Sequence, residues 1–111
     1  MERDVNTHLF DVIENCKLIS EFIGEMDFEV YSLDELVKSG VERRFINIGE
    51  SLSRIKQVDS NIFGAINNAQ RIIGFRNVLV HGYESISDRL VWGIIVENLP
   101  ELRADCEKLL K

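Results

Sequence analysis

Residues 37–55, VKSGVERRFINIGESLSRI, carry the pattern that decides the fold. Val37, Val41, Phe45, Ile48, Leu52 and Ile55 recur three or four residues apart, which keeps them on one side of an α-helix over about five turns. Ser32 and Glu35 supply a capping-box signature just ahead of it. Gly40 and Gly49 lie inside the run, where each glycine weakens a helix by about 1 kcal/mol relative to alanine. A seam this long predicts a buried helix at the centre of the molecule.

The rest of the chain repeats the pattern. A first helix is predicted over residues 6–23, with Leu9, Val12, Ile13, Cys16, Ile19, Phe22 and Ile23 as its stripe and Gly24 as its stop. The segment EMDFEVY reads as a connection. After the polar break KQVDSN, a third helix is predicted from residue 61 or 62 to about 80. Its buried stripe is Ile62, Ile66, Ala69, Ile73 and Val80, widened by Ala65, Ile72 and Leu79. Beyond the loop GYESIS, Ser87 or Asp88 can cap a fourth helix containing Leu90, Val91, Ile94 and Ile95. Pro100 fits the first position of a last helix, with Leu102, Cys106, Leu109 and Leu110 facing inward. Short connections between such helices imply an all-α fold, an antiparallel bundle of four to five helices forming one domain over residues 1–111.

Composition narrows the function classes. The chain is 45% hydrophobic and 29% charged, as ordinary globular proteins are, and its formal charge is −6. That balance argues against a broad basic face for nucleic acid. It leaves room for a small anion site, because Arg43, Arg44, Arg54, Arg71 and Arg76 all lie mid-chain. Cys16 and Cys106 occupy apolar helical positions and read as buried reduced thiols. No Cys/His/carboxylate spacing suits zinc, so neither a metal nor another cofactor is expected. With no signal-peptide run and no stretch able to span a bilayer, a cytoplasmic protein is expected.

One segment resists a purely structural reading. FRNVLVHGY, residues 75–83, sets Arg76, Asn77, His81 and Tyr83 among apolar neighbours near a helix end. Steps of three and four from Phe63 trace a polar stripe through Asn67, Gln70, Gly74, Asn77 and His81. A glycine in such a stripe fits either a solvent face or a face where a second protomer approaches and leaves a wet cleft. Asn77 and His81 share a helix face, whereas Arg76 and His81 stand about 140° apart on an ideal helix. They converge only if the helix ends near Val80 or the arginine folds back, and Gly82 offers such an ending. The residue types suit RNA cleavage without a metal. Histidine can exchange a proton with a ribose 2′-hydroxyl or a leaving oxygen, and a guanidinium can hold the phosphate. By spacing alone the signal is weak, since a histidine at a helix C-terminus also serves as a favourable cap.

RNVLVHGY resembles the signature of HEPN domains, and its form, Arg-x(4)-His-x-Tyr, looks like the HepT-like subgroup of toxins encoded beside an MNT-type nucleotidyltransferase. RRFINIGESLSRI is similar to that subgroup's second-helix segment, and DRLVWGIIVENLPEL to its C-terminal one. The "PW" that the subgroup often has ahead of the third helix is replaced here by SNIFGAINNAQ, and the acidic balance gives no general affinity for RNA. The resemblance implies a homodimer whose two motifs face one another across a cleft. It implies metal-independent endoribonuclease activity on RNA, with Arg76 and His81 as the catalytic pair and Asn77 between them. It further implies a nucleotidyltransferase antitoxin as partner, with Tyr83 as the AMP acceptor. An adenylyl group there would block the cleft and add negative charge.

Two other functions fit part of the pattern. A non-catalytic module that docks the nucleotidyltransferase needs Tyr83 but not His81. A helical dimer that binds a nucleotide in the same cleft would show affinity without RNA turnover. No serine stands in a recognisable triad, Trp92 and Phe45 read as core, and Glu50 faces away from the Ile48 seam, where it can pair with an arginine.

Overall fold

The computed structural model describes residues 4–82 and 86–111. They form α-helices joined by short connections, with no strand among the described residues, so the all-α bundle stands as expected.

Helix α1 (Val5–Ile23) begins at Asp4, whose carboxylate accepts the Asn6 N–H at 3.2 Å. It ends at Gly24, where φ is 49°, a left-handed value that a side chain would resist. Residues 25–31 are not a plain connection. Asp27 accepts the Val30 N–H at 2.9 Å and starts a short helix, α2 (Phe28–Leu33). Tyr31 anchors it, fully buried with its ring 5.2 Å from that of Trp92. This also displaces the expected capping box. Ser32 lies within α2, where it turns its hydroxyl back to the Glu29 carbonyl at 2.8 Å, and a helical residue cannot serve as an N-cap. Asp34 takes that role, accepting the Val37 N–H at 3.0 Å.

Helix α3 (Glu35–Val58) is the centre of the molecule, packed on α1 along one side and on α5 along the other. Val41, Phe45, Ile48, Leu52 and Ile55 are all 0% exposed, and Val37 is partly buried. Burying a side chain of that size contributes about 1.5–3 kcal/mol each, so this one seam supplies much of the driving force.

The predicted third helix is in fact two, α4 (Ser60–Gly64) and α5 (Ala69–His81). Asp59 caps α4, accepting the Asn61 and Ile62 N–H groups at 3.1 Å. The break is made at Asn68, whose φ of 66° lies in the left-handed region that asparagine tolerates better than most residues. Contacts with the last helix hold the turn: Asn68 Nδ2 donates to Glu101 Oε1 at 2.8 Å, and the Asn67 N–H to Asp105 Oδ2 at 2.9 Å. Ile66, Ala69, Ile72 and Ile73 are buried as predicted, but Val80 is 38% exposed, at the edge of the buried arc in the last turn. Phe75 is buried in addition, its ring edge on Phe45 at 5.2 Å.

Ser87 caps α6 (Asp88–Gly93), its hydroxyl accepting the Leu90 N–H at 3.3 Å. The expected gap before the last helix does not exist. A π-helical turn, Ile94–Asn98, carries α6 straight into α7 (Leu99–Leu109). Pro100 has no N–H to give and its ring crowds the carbonyl four residues back, which breaks an ordinary α-helix. Widening the turn so that the Leu99 N–H reaches back to the Ile94 carbonyl lets the helix pass.

Helix α7 packs on α1, where Cys16 and Cys106 are both buried and free. Burial pushes the Cys106 thiol up to about 12, with Asp105 and Glu107 adding to the rise, and burial raises Cys16 as well. Because the thiolate is the reactive form, neither cysteine is expected to react with iodoacetamide near pH 8 until the protein unfolds. Mass spectrometry of native and urea-unfolded samples checks this, and rapid native labelling would contradict it. No helix among the described residues is long and apolar enough to cross a membrane.

Candidate active site

At about 100° per residue, α5 presents two distinct sides. Ala69, Ile72, Ile73 and Phe75 turn into the bundle, whereas Gln70, Gly74, Asn77, Val78 and His81 are exposed. Four of the stripe residues read from the sequence therefore share one outer face. Asn67 does not join them, because it lies in the turn before α5 with its N–H held by Asp105. Gln70 accepts a hydrogen bond from Lys56 Nζ at 2.9 Å.

By position Arg76 belongs to the inner side, between Ala69 and Ile72 around the axis, yet it is only partly buried. Its stem lies across α3 at Gly49, where an added Cβ would come within 2.6 Å of Arg76 Cγ and closer still to its Cβ. The guanidinium emerges at the rim. Nη1 donates to Asn77 Oδ1 at 2.9 Å, Nη2 stands 3.4 Å from Glu50 Oε1, and Nε is buried with no hydrogen-bond partner.

His81 is the last residue of α5, and Gly82 closes the helix by donating its N–H to the Val78 carbonyl. The helix does not end early, so Arg76 and His81 remain about 140° apart around the axis. Asn77 and His81 share the outer face. Tyr83 lies outside the described residues. The structure thus joins Arg76 to Asn77 and to Glu50, and it sets His81 on the outer face with Asn77.

Gly74 and Gly49 differ in what surrounds them. Nothing lies within 4 Å of a Cβ built at Gly74, so no close approach occurs there within the protomer. Within the protomer the close approach is at Gly49, where spacing alone predicts only a cost to the helix. A glycine directly before an acid on the seam helix was the available signal. Of the remaining mid-chain arginines, Arg43, Arg54 and Arg71 are exposed, and Arg44 Nη1 donates to Asn15 Oδ1 at 3.3 Å. Among the described residues, no three His, Cys, Asp or Glu side chains are grouped to hold a metal ion.

The guanidinium with its amide partner has the chemistry to hold an anion, and the exposed imidazole that to move a proton, but within one protomer the two point to different sides of α5. The family model for HepT-like ribonucleases matches residues 12–109. The chain belongs to the HepT-like ribonuclease family. Its relatives include "Probable ribonuclease HepT" of Thermococcus cleftensis, 30% identical over 111 residues that span both chains completely. "Putative RNase MJ1380" of Methanocaldococcus jannaschii is 27% identical over 106 residues, 96% of each chain. No solved structure matches this HepT-like chain significantly. The matched region takes in Gly49, Glu50, Arg76, Asn77 and His81 together.

Proposed function

We propose that the protein is a metal-independent endoribonuclease whose site is shared between the two protomers of a homodimer. One observation carries the reading: Arg76 is seated at the rim of α5 while His81 stands about 140° around the same unbroken helix. A pair so divided is completed most simply by a second copy. The outer face of α5 suits one, since Gly74 leaves open space and Val78 is 48% exposed. Two such faces opposed would set the arginine of one protomer toward the histidine of the other, with RNA between them.

The chemistry follows from the groups. The ribose 2′-oxygen attacks the adjacent phosphorus, its proton passes to a base, and the P–O5′ bond breaks as the leaving oxygen takes a proton. The products are a 2′,3′-cyclic phosphate and a 5′-hydroxyl. His81 serves the proton transfers, Arg76 stabilises the charge on the pentacoordinate phosphate, and Asn77 keeps the guanidinium turned to it. Likeness to HepT-like toxins supports a toxin–antitoxin setting in which an MNT-type nucleotidyltransferase docks this chain. There the Tyr83 oxygen attacks the α-phosphorus of ATP, loses its proton, and displaces pyrophosphate. The bound adenylyl group would then close the cleft to RNA.

Mixing two inactive variants tests the shared site. Arg76→Ala and His81→Ala are unfolded together, refolded together, and assayed on RNA. A shared site predicts recovery to roughly a quarter of wild-type activity, since about half the dimers are mixed and each holds one intact site. A site within one protomer predicts no recovery. A dimer with native fold that never cleaves RNA, even as wild type, would favour the docking module instead.

A further inference from the structure

Arg76 is held less by its own helix than by α3. Its Cβ and Cγ rest where the side chain of residue 49 would otherwise be, so α3 and α5 can meet at this height only because residue 49 is glycine. The next residue on α3, Glu50, turns outward and meets Nη2 at 3.4 Å, while Asn77 takes Nη1 at 2.9 Å. Nε is buried without a partner and adds no hold of its own; packing of the stem against α3 keeps the near end of the guanidinium inside the groove. The flat group is therefore gripped at three points: a stem in a glycine notch, an amide at one terminal nitrogen and a carboxylate at the other.

We propose that Gly49 and Glu50 form the seat of the catalytic arginine, with Glu50 a positioning residue for phosphate stabilisation. This rests on the ribonuclease reading given above. The alternatives differ in consequence. A carboxylate that merely competed with RNA phosphate for Arg76 would slow binding and be better removed. A carboxylate that orients the guanidinium must be present for the chemical step, although its negative charge opposes RNA. The geometry favours orientation. Glu50 is 55% exposed and pairs at 3.4 Å, a separation too long and too wet for a strong bond, so RNA can draw the remaining N–H groups outward without first breaking a buried ion pair. The stem in the Gly49 notch, not the ion pair, carries the anchoring, and Glu50 sets the rotation of the plane.

The test uses Glu50→Gln and Glu50→Ala in the full chain, where the exposed position keeps the fold intact. Rates are measured on RNA, and affinity on the same oligonucleotide with 2′-deoxy sugars at the cleaved site, which binds without reacting. The seat predicts that Glu50→Ala lowers kcat by about 2- to 5-fold, as an exposed pair of this kind allows, with equal or tighter binding of the uncleavable RNA. Glu50→Gln, which keeps an acceptor oxygen, should fall between that variant and wild type. Unchanged cleavage in Glu50→Ala would overturn the proposal, as would a rise in both rate and affinity, or a loss of affinity that accounts for the whole loss of rate.

A readout independent of catalysis is the ¹⁵N spectrum of the arginine side chains. With the Arg76 signals assigned by Arg76→Lys, slow exchange of its guanidinium protons in wild type and faster exchange in Glu50→Ala supports the seat. Identical exchange in the two proteins overturns it. If wild type does not cleave RNA at all, the ribonuclease reading fails, and the spectra still decide whether Glu50 holds Arg76.

Discussion

His81→Ala is expected to lower the rate of RNA cleavage by about 10²–10⁴-fold, the range a positioned acid–base group contributes. The residue is exposed at the end of α5 and packs on nothing in the core, so its loss should change stability by less than about 0.5 kcal/mol. That combination separates the catalytic role from the plainer one. A histidine serving only as a helix cap contributes about 0.3–1 kcal/mol through the helix dipole and nothing to cleavage. Initial rates on a defined oligonucleotide, taken beside thermal melts of both proteins, distinguish them. Full activity with a lowered melting temperature would assign His81 to the cap.

Phe45→Ala should give the largest loss of stability, about 3–5 kcal/mol, because it removes a fully buried ring and leaves a cavity. Position matters as much as size. Phe45 meets Phe75 edge-on, with centroids 5.2 Å apart and planes 80° from one another, across the α3–α5 contact that also carries the seat of Arg76. Deleting the ring therefore loosens the helix on which the site stands, and cleavage should weaken at temperatures where the variant remains folded. Urea titration gives the stability directly. A loss below about 1 kcal/mol would mean that the two helices close over the gap without consequence.

The seams of α1 and α3 were legible because spacing and burial agree over many turns: an apolar stripe of that length has one way to be buried. Gly24 was legible for a local reason, the left-handed turn that ends α1. The failures share a cause, which is contact between distant segments. Helix α2 is too short to show a period, and it exists because Tyr31 packs on Trp92 and Asp27 caps its start. The break at Asn68 is invisible because the apolar spacing runs through it unchanged, while Glu101 and Asp105 on α7 hold the turn. Pro100 correctly marked the first turn of α7, yet no spacing rule announces the π turn that joins it to α6. In the site, Arg76, Asn77 and His81 stood out by chemistry and motif. Gly49 did not, since its value lies in what another helix lays across it.

The most direct measurement is cleavage of mixed cellular RNA by the purified protein, unmodified by mass, in excess EDTA, with the new ends mapped. The wild-type protein is expected to leave 2′,3′-cyclic phosphate and 5′-hydroxyl ends, and His81→Ala to leave the RNA intact. Intact RNA with both folded proteins, or cleavage that appears only when a divalent metal is restored, would contradict this expectation.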